Sequence, residues 1–177
     1  MIPVLTAAVI LVGVVAAADL LLSFAVVRRL AALQARGPVP AASARAPEPG
    51  HTVGEFRVGL LAGGEFTTDH LRREPAVVAF LSPTCEPCRR AIEELKQLAV
   101  PLARPLYVLI AGSAQDGDLL AVAKQMPAGA RVGAIAHDDE IMKAFAVDGY
   151  PTMVSTADGT VLASGLRLGD VLEPAHV

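Results

Sequence analysis

Several functions are excluded by what this sequence has little of. Tryptophan is absent and only 4% of the 177 residues are aromatic, so the stacking platforms that hold single-stranded nucleic acid are missing. Its 15 Lys and Arg are outnumbered by 18 Asp and Glu, for a net charge of -3 and a pI of about 5.8. No basic surplus is available for a phosphate backbone, and no nucleic-acid partner is expected. There are only 2 cysteines, Cys85 and Cys88, too few and too close together for a disulfide scaffold. The four histidines, His51, His70, His137 and His176, show no paired ligand spacing. A zinc site built on the two cysteines would lack its remaining ligands, so neither a metal nor a cofactor is expected. There is no internal repeat.

Apolar residues are abundant instead: 53% of the chain is hydrophobic and mean hydropathy is +0.50, high for a wholly soluble protein. From Ile2 to Val27 the only charged side chain is Asp19. A helix of about 26 such residues, at ~1.5 Å each, is longer than the ~30 Å hydrocarbon core and fits a tilted single span. A cleaved signal peptide fits less well, because no Lys or Arg precedes the run and it continues past Ala16-Ala17-Ala18 through Leu20-Leu21-Leu22. Asp19 reads as a residue near one end of the span, at the interface or protonated. Arg28, Arg29 and Arg36 lie just after the span, and the positive-inside tendency would put the C-terminal domain in the cytoplasm.

Residues 1–35 therefore read as a transmembrane anchor with a short helical extension, and 36–50 as a Pro/Ala-rich spacer that cannot sustain a helix. A folded domain is expected over 51–177. Ala76 to Leu81 is a short apolar run bounded by Pro75 and Ser82-Pro83, as in a buried strand. Glu86 to Val100 has helical apolar spacing and stops before Pro101. A second buried strand is expected over Leu106–Ile110, a helix over Asp118–Met126 and a strand over Arg131–Ala136. A helix opening on Asp138-Asp139-Glu140 runs to about Ala146, with acids at its positive end. Thr152–Thr156 and Thr160–Ser164 flank Asp158-Gly159, a hairpin turn signal, and a short last helix is expected around Asp170–Leu172. The alternation predicts an α/β domain with a mixed central sheet flanked by helices.

Cys85 follows the first strand and opens a helix, where free backbone N–H groups and the helix dipole favour a thiolate. Arg89 and Arg90 add to this and Glu86 opposes it. Cys88, one turn further in, is close enough to form a disulfide with Cys85 and more sheltered. Cys85 is thus the expected attacking thiol and Cys88 the resolving one.

The stretch from Val77 to Cys88, with its Cys85-Glu86-Pro87-Cys88 motif, resembles the active-site strand and turn of the thioredoxin superfamily. The anchor-plus-domain layout is similar to the membrane-anchored TlpA, ResA and MauD-like branch, and Gly149-Tyr150-Pro151-Thr152 is similar to its cis-proline loop. The resemblance covers roughly 51–177 and implies a thioredoxin fold with Cys85 and Cys88 catalytic. It implies that Glu86, Pro87 and a cis Pro151 support the redox site, and that Thr84, Tyr150 and Thr152 meet the substrate. It also implies an extracytoplasmic domain, against the arginine signal. Two departures stand out: Ala79 and Ala91 occupy positions where relatives carry an acid.

The expected activity is thiol–disulfide exchange that reduces disulfides in exported or membrane-associated proteins, apocytochromes among them, with electrons from a membrane thiol carrier. A disulfide-forming or maturation role of MauD type and a non-catalytic peptide-binding module are the alternatives. A peroxidase of the peroxiredoxin kind would need a differently arranged loop.

Overall fold

A computed structural model describes residues 46–98 and 102–172. The expected anchor and most of the spacer lie outside the described residues. Among the described residues, no helix is long and apolar enough to cross a membrane.

The central sheet has five strands in the order β5-β4-β3-β6-β7: β3 Ala76–Leu81, β4 Leu106–Ala111, β5 Arg131–Ile135, β6 Thr152–Ala157 and β7 Thr160–Gly165. β3, β4 and β5 run parallel, while β6 pairs antiparallel with β3 and β7 antiparallel with β6. All six residues of β3 and all six of β4 are buried, because both faces of the sheet are covered. Successive side chains alternate between the faces. Ala76, Val78 and Phe80 enter one core with Leu71, Ile141 and Phe145, whereas Val77, Ala79 and Leu81 enter the other with Leu95, Leu119 and Val171. At ~1.5–3 kcal/mol for each fully buried large apolar side chain, β3 with four and β4 with five such side chains both contribute heavily to the core.

Helices α1 (Thr68–Arg73) and α4 (Glu140–Ala144) supply the first core, and α2 (Glu86–Lys96), α3 (Gly117–Ala123) and α5 (Gly169–Leu172) the second. The mixed sheet flanked by helices agrees with the sequence expectation. Several helix ends differ. α2 stops at Lys96 rather than Val100, with Gln97 as C-cap and the Leu98 N–H closing a tight turn to the Leu95 carbonyl at 3.2 Å. Beyond α3 the chain keeps turning to Met126, but through i→i+3 bonds from Gln125 to Val122 and from Met126 to Ala123. α4 ends at Ala144 because Ala146 adopts a left-handed φ of 53°, which lets the Val147 N–H reach back to the Met142 carbonyl at 2.9 Å.

An antiparallel pair without a counterpart in the sequence reading precedes β3: β1 Arg57–Gly59 and β2 Glu65–Thr67, turning through Gly63 and Gly64 at φ +93° and +84°. Each strand has three residues and one buried apolar side chain, Val58 or Phe66, too little to register as a period. The exit of β1 runs along the free side of β5, where Leu60 bridges Gly133 and the Leu61 N–H donates to the Val132 carbonyl at 2.8 Å. The free side of β7 is covered likewise. Gly50 N–H donates to the Val161 carbonyl at 2.8 Å, Val161 N–H to that of His51 at 2.9 Å, and the Ser164 hydroxyl to that of Pro47 at 2.6 Å. Among the described residues, Pro47 and Gly50 already bond to the domain ahead of His51.

Gly133 is where the β1 exit approaches most tightly: a Cβ there would meet Val58 Cγ1 at 3.0 Å, the Gly59 carbonyl oxygen at 3.2 Å and Leu109 Cδ2 at 3.2 Å. Gly133→Ala is expected to lower stability by about 1–3 kcal/mol through overpacking, read as a shifted urea midpoint.

Candidate active site

The reactive end lies where β3 stops. After Leu81, the turn Ser82-Pro83-Thr84 leads to Cys85, the N-cap residue of α2 (φ -87°, ψ 115°). Pro87 falls in the first turn of the helix, where no backbone N–H is required. The Cys88 N–H, at the start of the helix, is shared between the Cys85 carbonyl oxygen at 3.1 Å and the Cys85 Sγ at 3.2 Å, and would stabilise negative charge on that sulfur. Cys85 and Cys88 form a disulfide with Cα atoms 5.2 Å apart, inside the usual range. Cys85 is half-buried and Cys88 is 0% exposed, so an incoming sulfur can reach only the first.

The partner loop arrives through β6. Phe80 pairs with Thr152, which sets the start of β6 beside the end of β3. The Tyr150–Pro151 peptide is cis, Pro151 is buried, and the Tyr150 carbonyl oxygen sits 3.4 Å from Cys85 Sγ, where the S–H of a reduced Cys85 can donate to it. Thr152 is 0% exposed, and its hydroxyl donates to the Gly149 carbonyl at 2.9 Å. Its side chain therefore ties the loop to itself and presents nothing to a substrate, contrary to the binding role expected of it. Thr84 is exposed beside Cys85, its hydroxyl 3.2 Å from that of Ser82.

Glu86 points to solvent and pairs with Arg89 at 3.3 Å, both side chains about three-quarters exposed. Such a pair contributes ~0–1 kcal/mol. Each thereby mutes the other's effect on the neighbouring sulfur. Glu93 pairs with Lys96, and Glu94 with Arg167, so neither replaces the acids missing at Ala79 and Ala91. Both alanines are buried in the layer that holds Cys88.

His137 escaped the sequence reading as a site residue. It is exposed in the turn after β5, at the same edge of the sheet as Cys85, and its ring packs edge-on against that of Tyr150 with centroids 5.6 Å apart. The position directly after a parallel strand is the signal that could have revealed it. The Tyr150 hydroxyl is buried without a hydrogen-bond partner, and burial, then the Asp139 carboxylate, hold its pKa above the usual 10.0. Among the described residues, no group of three or more His, Cys, Asp or Glu gathers as a metal site would.

A helix-capping Cys-x-x-C disulfide, facing a cis-proline loop across the end of a mixed sheet covered on both faces, is the arrangement of the thioredoxin fold. No protein-family model matches the sequence, and no curated protein does. Solved structures do match. A putative thiol:disulfide interchange protein DsbE from Chlorobium tepidum superposes with a TM-score of 0.56 at 20% identity, over 71% of this chain and 91% of its own. A thio-disulfide isomerase from Thermus thermophilus gives 0.55 at 22% identity, over 68% and 87%. Yeast Sco1 gives 0.53 at 17%, over 68% and 86%. The chain has the thioredoxin fold in common with these proteins.

Tyr150→Phe removes a buried hydroxyl that has no partner, so folding stability should rise by up to ~1 kcal/mol. A tyrosine whose pKa is raised by folding contributes stability that is complete below pH 10.0 and is lost as pH climbs through the folded-state value. The variant should accordingly lose less stability than the wild type above that pH, measured by urea denaturation across the alkaline range.

Proposed function

We propose that the protein is a membrane-anchored thiol–disulfide oxidoreductase that reduces disulfides in exported or membrane-associated polypeptides, with a membrane thiol carrier as its source of electrons. The observation that carries this reading is the unequal Cys85–Cys88 pair: one half-buried sulfur on a helix start, the other fully buried, with the Tyr150 carbonyl 3.4 Å from the first. Cys85 attacks a substrate disulfide, Cys88 resolves the mixed disulfide, and the pair leaves oxidised with two electrons transferred. Pro87 and Pro151 shape the two sides of the site, and Glu86 moderates charge at its rim. Thr84, exposed beside Cys85, and half-buried Tyr150, with its carbonyl 3.4 Å from Cys85 Sγ, border the approach where an extended polypeptide segment would lie.

Support also comes from the named activities of two structures sharing the fold, a putative thiol:disulfide interchange protein and a thio-disulfide isomerase. Apocytochromes are a substrate class consistent with the resemblance to the membrane-anchored TlpA, ResA and MauD-like branch. The apolar run from Ile2 to Val27 supports the anchor, and we assign the redox domain to the extracytoplasmic side.

Redox titration of the full chain against dithiothreitol or glutathione buffers tests the direction of transfer. A potential near or below ~-270 mV is expected of a reductase, whereas a value approaching ~-120 mV would instead make it a disulfide-forming factor. Absence of a reversible two-electron couple would leave only a peptide-binding module. Cys85→Ala should abolish exchange with a peptide disulfide. A reporter active only in the cytoplasm, fused after Val177, should stay silent; activity would reverse the assigned orientation.

A further inference from the structure

Among the described residues, the layer around Cys88 holds no group able to take its proton. Cys88 is 0% exposed, and the layer around it contains Ala79 and Leu81 of β3, Ala91 of α2, Met153 of β6 and Leu168 before α5. The charged side chains on the packed elements are turned to solvent, to one another or to backbone N–H groups, Glu94 accepting from Leu168 N–H at 3.4 Å besides pairing with Arg167. On α2, Glu86 is matched with Arg89, Glu93 with Lys96 and Glu94 with Arg167, while Arg90 is exposed. At α3, Asp116 and Asp118 are exposed, and at α5 the Asp170 carboxylate accepts the N–H groups of Leu166 and Arg167. β3 and β6 carry no ionisable side chain, and Tyr107 of β4 belongs to the opposite core. Tyr150 touches the layer, but its raised pKa keeps the phenol protonated at neutral pH.

A thiol so placed ionises poorly, because apolar burial disfavours the charged form. Resting on the oxidoreductase reading above, we infer that Cys88 is a slow resolving thiol, so that a substrate sulfur captured on Cys85 persists as a mixed disulfide. In the first step the Cys85 thiolate attacks a substrate disulfide, forming the Cys85–substrate bond and releasing one substrate sulfur as thiolate. In the second, Cys88 gives its proton to solvent and its thiolate attacks Cys85 Sγ. The Cys85–substrate bond breaks, the Cys85–Cys88 bond forms, and the departing substrate thiolate takes a proton from solvent. The dithiol is oxidised by two electrons and the substrate disulfide reduced by two. Loss of the Cys88 proton sets the lifetime of the intermediate, and another thiol from solution competes with Cys88 to release the captured chain.

The test uses the full chain in detergent micelles, reduced, freed of reductant, mixed with oxidised glutathione, acid-quenched at intervals and weighed intact. A Cys85–glutathione adduct should accumulate, and its decay to the Cys85–Cys88 disulfide should quicken about tenfold per pH unit between about pH 6 and 8, as thiolate fraction does well below a pKa. Ala91→Glu, which places a carboxylate one helical turn beyond Cys88, should speed decay at pH 6 by about tenfold and flatten that slope. Cys88→Ala supplies the background decay caused by released glutathione. A wild-type decay rate independent of pH overturns the inference even if Ala91→Glu fails to fold. So does formation of the internal disulfide with no detectable adduct. If neither adduct nor internal disulfide forms, it is the oxidoreductase reading itself that falls.

Discussion

The antiparallel pairing of β6 with β3, with Phe80 opposite Thr152, is the contact on which the reactive end of the molecule depends. β3 runs toward the cysteines and β6 runs away from them, so the end of one strand and the start of the other share an edge of the sheet. Were β6 parallel to β3, Pro151 would be carried to the opposite edge, about six residues of strand away at ~3.3 Å each. Backbone hydrogen bonds between two central strands thus set the distance from Tyr150 to Cys85. Such bonds open only with the whole domain, which gives the loop a rigidity that its own few contacts would not.

A second constraint is the two-layer core. Because β3 alternates strictly between the two faces, its last residues hand the chain to α2 with Cys88 already facing the layer of Ala79 and Leu81. The two sulfurs sit three residues apart in unlike surroundings, one half-buried beside the Cys88 N–H and the Tyr150 carbonyl and the other among aliphatic side chains. That inequality follows from helix geometry alone: a cap residue stands at the rim, and the residue one turn later must point inward if the helix is to pack.

Much of this arrangement is legible in the sequence wherever a signal is concentrated. The run Ala76 to Leu81 declares itself by its length and its flanking prolines, and Asp158-Gly159 by turn chemistry. The cysteine pair is unmistakable in a chain without other cysteines. The hairpin of β1 and β2 escapes, since strands with one buried side chain each leave no periodic trace, and α1 is too short to show helical spacing. Helix ends shift because a tight final turn or a left-handed residue such as Ala146 is a matter of local hydrogen bonding that apolar spacing does not encode. Within the site, the family resemblance implied a substrate role for Thr152, while the fold buries that side chain. His137 meets Tyr150 only because two separate connections end at one edge of the sheet.

Both outer strands of the sheet have part of their outward hydrogen bonds occupied, β5 by Leu60 and Leu61 and β7 by the stretch from Pro47 to His51. Copies of the chain crowded side by side would find little free backbone with which to stitch their sheets into a continuous ribbon, the usual hazard of exposed edges. Under the proposed oxidoreductase reading, a partner polypeptide would meet the domain at the end of the sheet beside Cys85 rather than along these partly occupied lateral edges.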